Sequence, residues 1–598
     1  MPQAAYGAVY TWAVGAGYTA TTATVLGAAA YVGTVVAISY AASAVLAPSS
    51  NKVGTNSRAL GGAQPNSNQG GVVGGSALSS SITQSDAPRR LIYGTVKTGG
   101  VVVYTKKTPN ERYLHRAIYL GEGPIEGIGP GVWVGDQIST EAPLAGFVSP
   151  TTYTGSPGQA YSAALAAVSE GEWTSAMVGE GCAWVHCVYE WNLDAFRSGA
   201  AFPAFLVKGR LCFDPRTSST PTTATSNPAL ILLDFIRSEF GYGHPDEWID
   251  FDSFATAASI CDEVVTSLDA ENVVDGVAYR VRRYSCNAVF ETDAGPAATV
   301  QSILDTCSGV LVFSGGRYRM YVGAYRAPTG PKLTAEYLRA DPAFRPHPAR
   351  TQRFNICRGT YMEPRQDWQM VDFGEQTLSA AIVTEDGEIV QPLTLPAVTN
   401  GAQAQRLGRL AMNLARSATP LILRCNYAAF TWRLYDVVDL DLPEVGAEGS
   451  FLITGYKYAD IADGGGIDLT LVPHLASDYA WDPLTMERMV EDVPTPNWDY
   501  PAPSIDSTSY AVQELSYGGS EQVDRYVVIM WEAPDWAIVS HYEVQSKKGT
   551  DEWQTFETID LQWTFEALPD FSYSFRVRVV GLNDKKGPWA DVLSIGPV

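Results

Sequence analysis

The first 51 residues contain no Asp, Glu, Lys or Arg, and the earliest charge is Lys52. A secretory signal peptide needs a basic leading segment and a short apolar stretch. Here the basic part is missing and the apolar part runs too long. Basic residues are scarce along the whole chain: 41 Lys and Arg against 64 Asp and Glu, a formal net charge of −23. No Lys/Arg-rich run offsets this, so sequence-specific nucleic-acid binding is not expected. An acidic duct along which DNA slides stays compatible with it, as does the plainer reading that the charge keeps a large protein soluble. Histidine is also rare, at six. His115, His244, His347, His474 and His541 are isolated, with no nucleophile beside them. The eight cysteines (Cys182, Cys187, Cys212, Cys261, Cys286, Cys307, Cys357 and Cys425) are scattered, several of them in apolar runs. That is the pattern of buried reduced thiols and not of a disulfide framework.

Other absences narrow the chemistry. There is no phosphate-binding glycine loop in a strand-to-helix context, no Gly-x-Ser-x-Gly elbow and no His-Glu-x-x-His. The densest group of metal-ligating types is Cys182, His186 and Cys187. It is a single cluster in a strand-like run, where a zinc site needs four ligands in paired spacing, so packed and exposed strand positions are the favoured reading. Adjacent acids such as Asp246/Glu247 and Glu491/Asp492 are expected by number alone in so acidic a chain, and give weak support for glycosidase chemistry. Asp439, Asp441 and Asp463 suit turns and strand edges better than calcium. No enzyme activity and no cofactor are expected.

What is present is β-rich and modular. A chain of 598 residues is too long for one core, and at about 100–200 residues per domain it implies several. Residues 1–48 form an uncharged apolar segment of helical pattern, in which Ala29, Gly33, Ala37 and Ala41 recur every fourth position and line one face, letting helix backbones approach closely. Three uses remain open for it: packing against copies of itself, entry into a host membrane at infection, or a standing membrane anchor. Residues 49–85, rich in Gly, Ser and Asn, read as a linker. From Arg89, short β-branched and aromatic runs cut by Gly predict a β-domain over 86–150. Residues 151–212 read as a small inserted domain, 213–345 as an α+β domain and 346–475 as a second β-domain. A second linker spans 476–502.

Within the α+β stretch, "SNPALILLDFIRSEFGYG" predicts a helix capped by Ser226 or Asn227 with Pro228 in its first turn. In "DFDSFATAASICDEVVTSL", Phe254, Ala258, Cys261, Val265 and Leu268 fall at helical spacing. "GPAATVQSILDTCSG" repeats the pattern with Val300, Ile303, Leu304 and Cys307. "VLVFSGGRYRMYV" is a hairpin around Gly315-Gly316, and "AQAQRLGRLAMNLARSA" is a helix with Leu407, Leu410, Ala411 and Leu414 on one face.

Residues 503–598 have the spacing of seven strands and no cysteine. Trp531, Tyr542, Leu568 and Tyr573, followed by alternating Phe575, Val577 and Val579, resemble a fibronectin type III sandwich. The resemblance puts the first four in its core, with Tyr573 as the corner tyrosine.

Read in order, several blocks of residues 85–475 resemble the tail-tip attachment protein family, typified by the host-specificity protein J of lambda-like siphophages. They are "QSDAPRRLIYGTVKTGG", the turn "GPIEG" at Gly123–Gly127, "NPALILLDFIRSEFGYG", "YSCNAVFETDAGPAATVQSILDTCSGVLVFSGGRYRMYVG", "RFNICRGTYMEPRQDWQ", and "AQAQRLGRLAMNLARS" followed by "YDVVDLDLP". The resemblance implies a structural protein of the virion, not an enzyme. It would be a homotrimeric hub at the distal end of the tail, contacting the distal tail protein, the tape-measure protein and other tip proteins or fibres. It would close the tail tube and open for DNA ejection. The chain departs from the family in ending after one fibronectin-like domain and in its uncharged start. A receptor-binding adhesin acting through the last domain is the alternative, and a bacterial cell-surface protein anchored by its N-terminus is a third reading.

Overall fold

Runs such as "VVVYTKK" and "CAWVHCVYE" form strands because β-branched and aromatic side chains alternate between a packed and an open face. The protein is accordingly mainly β, with helices set between sheets. The computed structural model describes residues 72–73, 81–489 and 502–597, except 85, 136, 194, 197–201, 221–222, 270, 345–352, 386, 461–463, 520–521, 536–538, 569 and 582–584. The segment 1–48 with Ala29, Gly33, Ala37 and Ala41, most of the 49–85 linker, and the acids Asp463, Glu491 and Asp492 therefore lie outside the described residues. The chain divides into two compact units, Met1–Val490 and Glu491–Val598.

In the first unit, strands β1 (Arg90–Tyr93), β2 (Thr95–Gly99), β3 (Val101–Lys107), β4 (Tyr113–Glu122), β5 (Ile125–Val134), β6 (Val148–Thr154), β7 (Cys182–Glu190) and β8 (Pro203–Arg210) follow one another. Four of them make an antiparallel sheet in the order β3-β4-β7-β6, and β2-β8-β5 with Gln137–Ile138 make another. One core is shared by Val96, Val132, Phe205 and Val207 from the second sheet and Ile118, Leu120, Val185 and Cys187 from the first. This corrects the expectation of an inserted domain at 151–212. β6, β7 and β8 complete sheets begun by residues 95–134, a long-range pairing that local patterning does not encode.

The next core is helical on one side. Helices α1 (Pro228–Arg237) and α2 (Phe251–Cys261), strand β9 (Ala288–Glu291) and helix α3 (Pro296–Asp305) are followed by strands β10 (Val310–Ser314), β11 (Arg317–Tyr321), β12 (Ile356–Glu363) and β13 (Val390–Leu395), then α4 (Gly401–Ser417). The Asn227 side chain caps α1 by accepting from the Ala229 N–H, with Pro228 at the first helical position. Gly315 and Gly316 both take positive φ and close the β10–β11 turn. α2 ends at Cys261, and Val264–Thr266 is a strand paired with Arg280–Arg282. Val265 and Leu268 are thus off the helix on which their spacing had put them, because the β-branched run Val264-Val265-Thr266 finds a strand partner. Leu91, Tyr93, α1, α2, α3, β12 and α4 share one apolar core, so the expected boundary at 345/346 is also redrawn.

A six-stranded sheet in the order Leu333–Thr334, Val437–Leu442, Ala447–Tyr458, Ile467–Pro473, Leu421–Cys425, Ala343–Phe344 has its own core. It takes strands from both sides of the expected boundary.

The second unit is a sandwich. Strands β14 (Ala511–Gly519), β15 (Gln522–Met530) and β18 (Gln562–Glu566) form one sheet. Strands β17 (Gln554–Thr558), β16 (Val539–Lys548), β19 (Tyr573–Gly581) and β20 (Leu593–Ile595) form the other, in that order. Val527, Ile529 and Trp531 meet Tyr542, Val544, Phe575 and Val577 between them. Among the described residues no helix is long and apolar enough to cross a membrane.

Candidate functional site

The alternation of strand β7 decides the Cys182, His186, Cys187 cluster. Odd positions Ala183, Val185 and Cys187 enter the core between the sheets, whereas His186 and Trp184 face the other way. His186 and Cys187 therefore cannot close on one metal ion. His186 is buried instead against His115 of the neighbouring strand, its Nε2 lying 3.1 Å from the His115 Nδ1, and its own Nδ1 lies 3.1 Å from the Ser162 Oγ. Ser162 caps the short helix Ala163–Val168 by accepting from the Leu165 N–H. A serine beside a histidine suggests a nucleophile and base, yet both side chains are fully buried, and a substrate has no approach. The cluster fastens the segment around this helix, with Leu165 and Trp173, over the β3-β4-β7-β6 sheet.

Burial, and after it the neighbouring His115, lower the His186 pKa to about 4. His474, bonded through Nε2 to the Arg326 N–H and beside Tyr479, is likewise lowered by burial to about 4. An unfolded histidine takes up its proton near pH 6.5, before the folded one does. The stability contributed by these neutral imidazoles is complete above about pH 6.5 and is lost as pH falls towards about 4. Thermal unfolding followed from pH 7 to pH 4.5 should show this fall, and His186→Gln should flatten it. An unchanged slope would contradict the assignment.

Two of the acids named from sequence are engaged in ordinary surface pairs, Asp246 with Arg237 at 2.7 Å and Asp439 with Lys332 at 3.3 Å. A second ligand-like group, His541, Glu543 and Glu557, lies on the sandwich. Glu543 already accepts from Arg578 (2.8 Å) and Lys586 (2.7 Å), and these two cations occupy the carboxylate that a metal ion would need.

Of the sandwich residues singled out, Trp531, Tyr542 and Tyr573 are buried in its core. Leu568 is not; its side chain is 54% exposed. Its contribution is the backbone: the Leu568 N–H donates to the Tyr573 hydroxyl at 3.0 Å. The local sequence had marked the right turn, but its side chain stands where the chain turns outward before β19.

A feature that sequence reading did not find lies on the outer face of the four-stranded sheet. The Arg576 guanidinium lies against two indoles, 4.4 Å from the Trp553 ring centre and 4.7 Å from that of Trp589. Arg578 lies 4.2 Å from the Trp589 ring centre, and the Lys547 ammonium 5.2 Å from that of Trp553. The result is a row of alternating cation and aromatic ring. The signal in the sequence was the alternation Arg576-x-Arg578 opposite the core residues Phe575, Val577 and Val579. The indoles that complete the row come from distant turns.

Two further aromatic groups reach the surface of the first unit. Tyr427, Phe430 and Tyr458 stack 5.9 and 5.8 Å apart. Trp248 and Phe313 stand over the paired His244 and Tyr318.

No protein-family model matches the sequence, and no curated protein matches it. Among solved structures, the chain is similar to a chain in the virion of a native gene transfer agent particle, at 20% identity and a TM-score of 0.47, over 69% of this chain and 89% of that one. It is similar to the 43 kDa tail protein of prophage MuSo2 from Shewanella oneidensis at 10% identity and a TM-score of 0.25, over 66% of this chain and 99% of that one. A stretch covering 16% of this chain is similar to the sixth fibronectin type III domain of human fibronectin type III domain containing protein 3, over 86% of that chain, at 17% identity and a TM-score of 0.13.

Proposed function

We propose that this chain is a structural component of a bacteriophage tail, a hub at the distal end of the tail tube, and that its C-terminal sandwich is a fibronectin type III domain. The observation that carries the reading joins sequence to packing. Motifs that resemble the tail-tip attachment family in order lie far apart in the chain, yet several converge on one core. Leu91 and Tyr93 from the first block, helix α1, Cys286 and Ala288 from the "YSCNA" block, Ile303 and Leu304 of α3, and Leu407 of α4 are all members of it. A set of local likenesses that meets in one packed core is hard to obtain from unrelated pieces.

In this reading three copies close into a ring around the tail axis and contact the distal tail protein, the tape-measure protein and the tip proteins or fibres. The work is mechanical: subunit interfaces hold a closed state, and contact with the cell surface favours an open one through which DNA leaves. The polar cluster of the first unit supports a structural role because its two histidines and its serine are buried and mutually bonded. An antibody raised against residues 503–598 should decorate the distal tail end of intact particles. Labelling confined to host membranes would overturn the proposal. A second reading, a receptor-binding adhesin, is favoured by one observation, the cation–aromatic face of the sandwich.

A further inference from the structure

That face has properties that core packing does not require. Residues 502–598 hold seven Lys and Arg against fifteen Asp and Glu. Six of the seven cations (Lys547, Lys548, Arg576, Arg578, Lys585 and Lys586) are confined to the C-terminal end of β16, to β19 and to the segment after it. Among the strand residues of that outer face the acids are Glu543, paired across to Arg578, and Glu557, paired across to Glu543; Asp551 and Glu552 precede Trp553 in the turn. Glu543 is buried and neutralised by Arg578 and Lys586. The face is thus locally positive in a domain that is otherwise acidic.

Arg576 is its centre. Its guanidinium lies against two indoles, and its Nε donates to the Gln545 Oε1 at 2.7 Å. Its two η nitrogens make no hydrogen bond to any described residue within the sandwich. A planar fork held in place by its stacking partners has already lost its rotamer freedom, so an anion that binds it meets a prepared donor pair. Trp553 and Trp589 are each only half-buried. They leave ring surface on either side of the fork, and the Lys547 ammonium extends the positive strip beyond Trp553.

The geometry points to an acidic polysaccharide as the ligand of this face. A carboxylate or phosphate group would be held by the Arg576 η nitrogens, and the flanking sugar rings would lie on Trp553 and Trp589. Alternating charge and aromatic surface selects this class over the alternatives. A neutral glycan would leave the cations unused, and an acidic protein surface would leave the indoles unused. The inference does not depend on the place of the chain in a tail, since it concerns the sandwich alone.

The test uses the full chain in affinity electrophoresis against three polymers: polygalacturonate, a glycerol-phosphate polymer bearing sugars, and neutral dextran. Retardation by either anionic polymer and none by dextran is expected, with the stronger of the two identifying the anion. Arg576→Gln should weaken retardation at least tenfold. Arg576→Lys, which keeps the charge but loses the fork, should fall between it and the parent. Lys547→Ala, at the end of the row, should cost about threefold, and it carries the test if Arg576→Gln perturbs the fold. Equal retardation by dextran, no retardation by either anionic polymer, or parental binding by Arg576→Gln and Lys547→Ala would each overturn the proposal. So would capture of an acidic protein without any of the polymers.

Discussion

Replacing Phe575 by alanine should unfold the C-terminal sandwich and leave the transition of the first unit where it is. Phe575 is fully buried on β19. Its ring lies 5.2 Å from that of Phe565 on the facing sheet, within the core that also holds Val527, Val544 and Trp531. Removing a buried phenyl ring costs about 3–5 kcal/mol, from lost transfer energy and the cavity left behind. A domain of this size has a total stability of about 5–15 kcal/mol, so the loss takes away a large part of it. Because the chain divides between Val490 and Glu491, denaturant unfolding should resolve two transitions, with only the one belonging to residues 502–597 moved. A shift of both transitions, or of neither, would contradict the division.

A second large loss is expected from Arg90→Ala. Arg90 is among the largest fully buried side chains, at 2% exposure. Its guanidinium donates to the Gly99 carbonyl at 2.7 Å and to the Thr98 hydroxyl at 2.8 Å, and its Nε faces the Glu291 carboxylate at 3.9 Å. Burial lowers its pKa to about 10, which still leaves it charged at neutral pH. A cavity of about 140 Å³, lined by Arg90, Glu291, Asp293 and Ile82, adjoins it. Truncation to alanine enlarges that cavity, removes the guanidinium's bonds to the Gly99 carbonyl and the Thr98 hydroxyl, and takes away the counter-charge of Glu291. The expected cost is about 3–5 kcal/mol. Arg90→Met, which refills the volume without a charge, should recover more than half of the loss. Denaturant midpoints of the first unit check both variants. An alanine variant as stable as the parent would show that the guanidinium holds nothing together.

The two predictions also mark where the sequence was legible. Helix α1 was readable to its cap because Asn227 and Pro228 act within one turn, and the β10–β11 hairpin because two adjacent glycines supply the positive φ its turn needs. Phe575, Val577 and Val579 were visible as an inward-facing strand by their period of two. What failed was long-range. Nothing near residue 182 indicates that β7 will pair with β4 and complete a sheet begun seventy residues earlier. The burial of Arg90 depends on a carbonyl and a hydroxyl of β2 and a carboxylate on β9, and the setting of Arg576 depends on indoles at 553 and 589. The helical spacing that ran on through Val265 and Leu268 misled because a short β-branched run goes to whichever partner is near.

The most direct test of the hub proposal is an electron-microscopy map of the intact particle with this chain traced in it. Three copies of the Met1–Val490 unit, arranged around the tail axis at its distal end and closing the tube before DNA release, are the predicted result. A single copy outside the tail, or no copy in the particle at all, would contradict it.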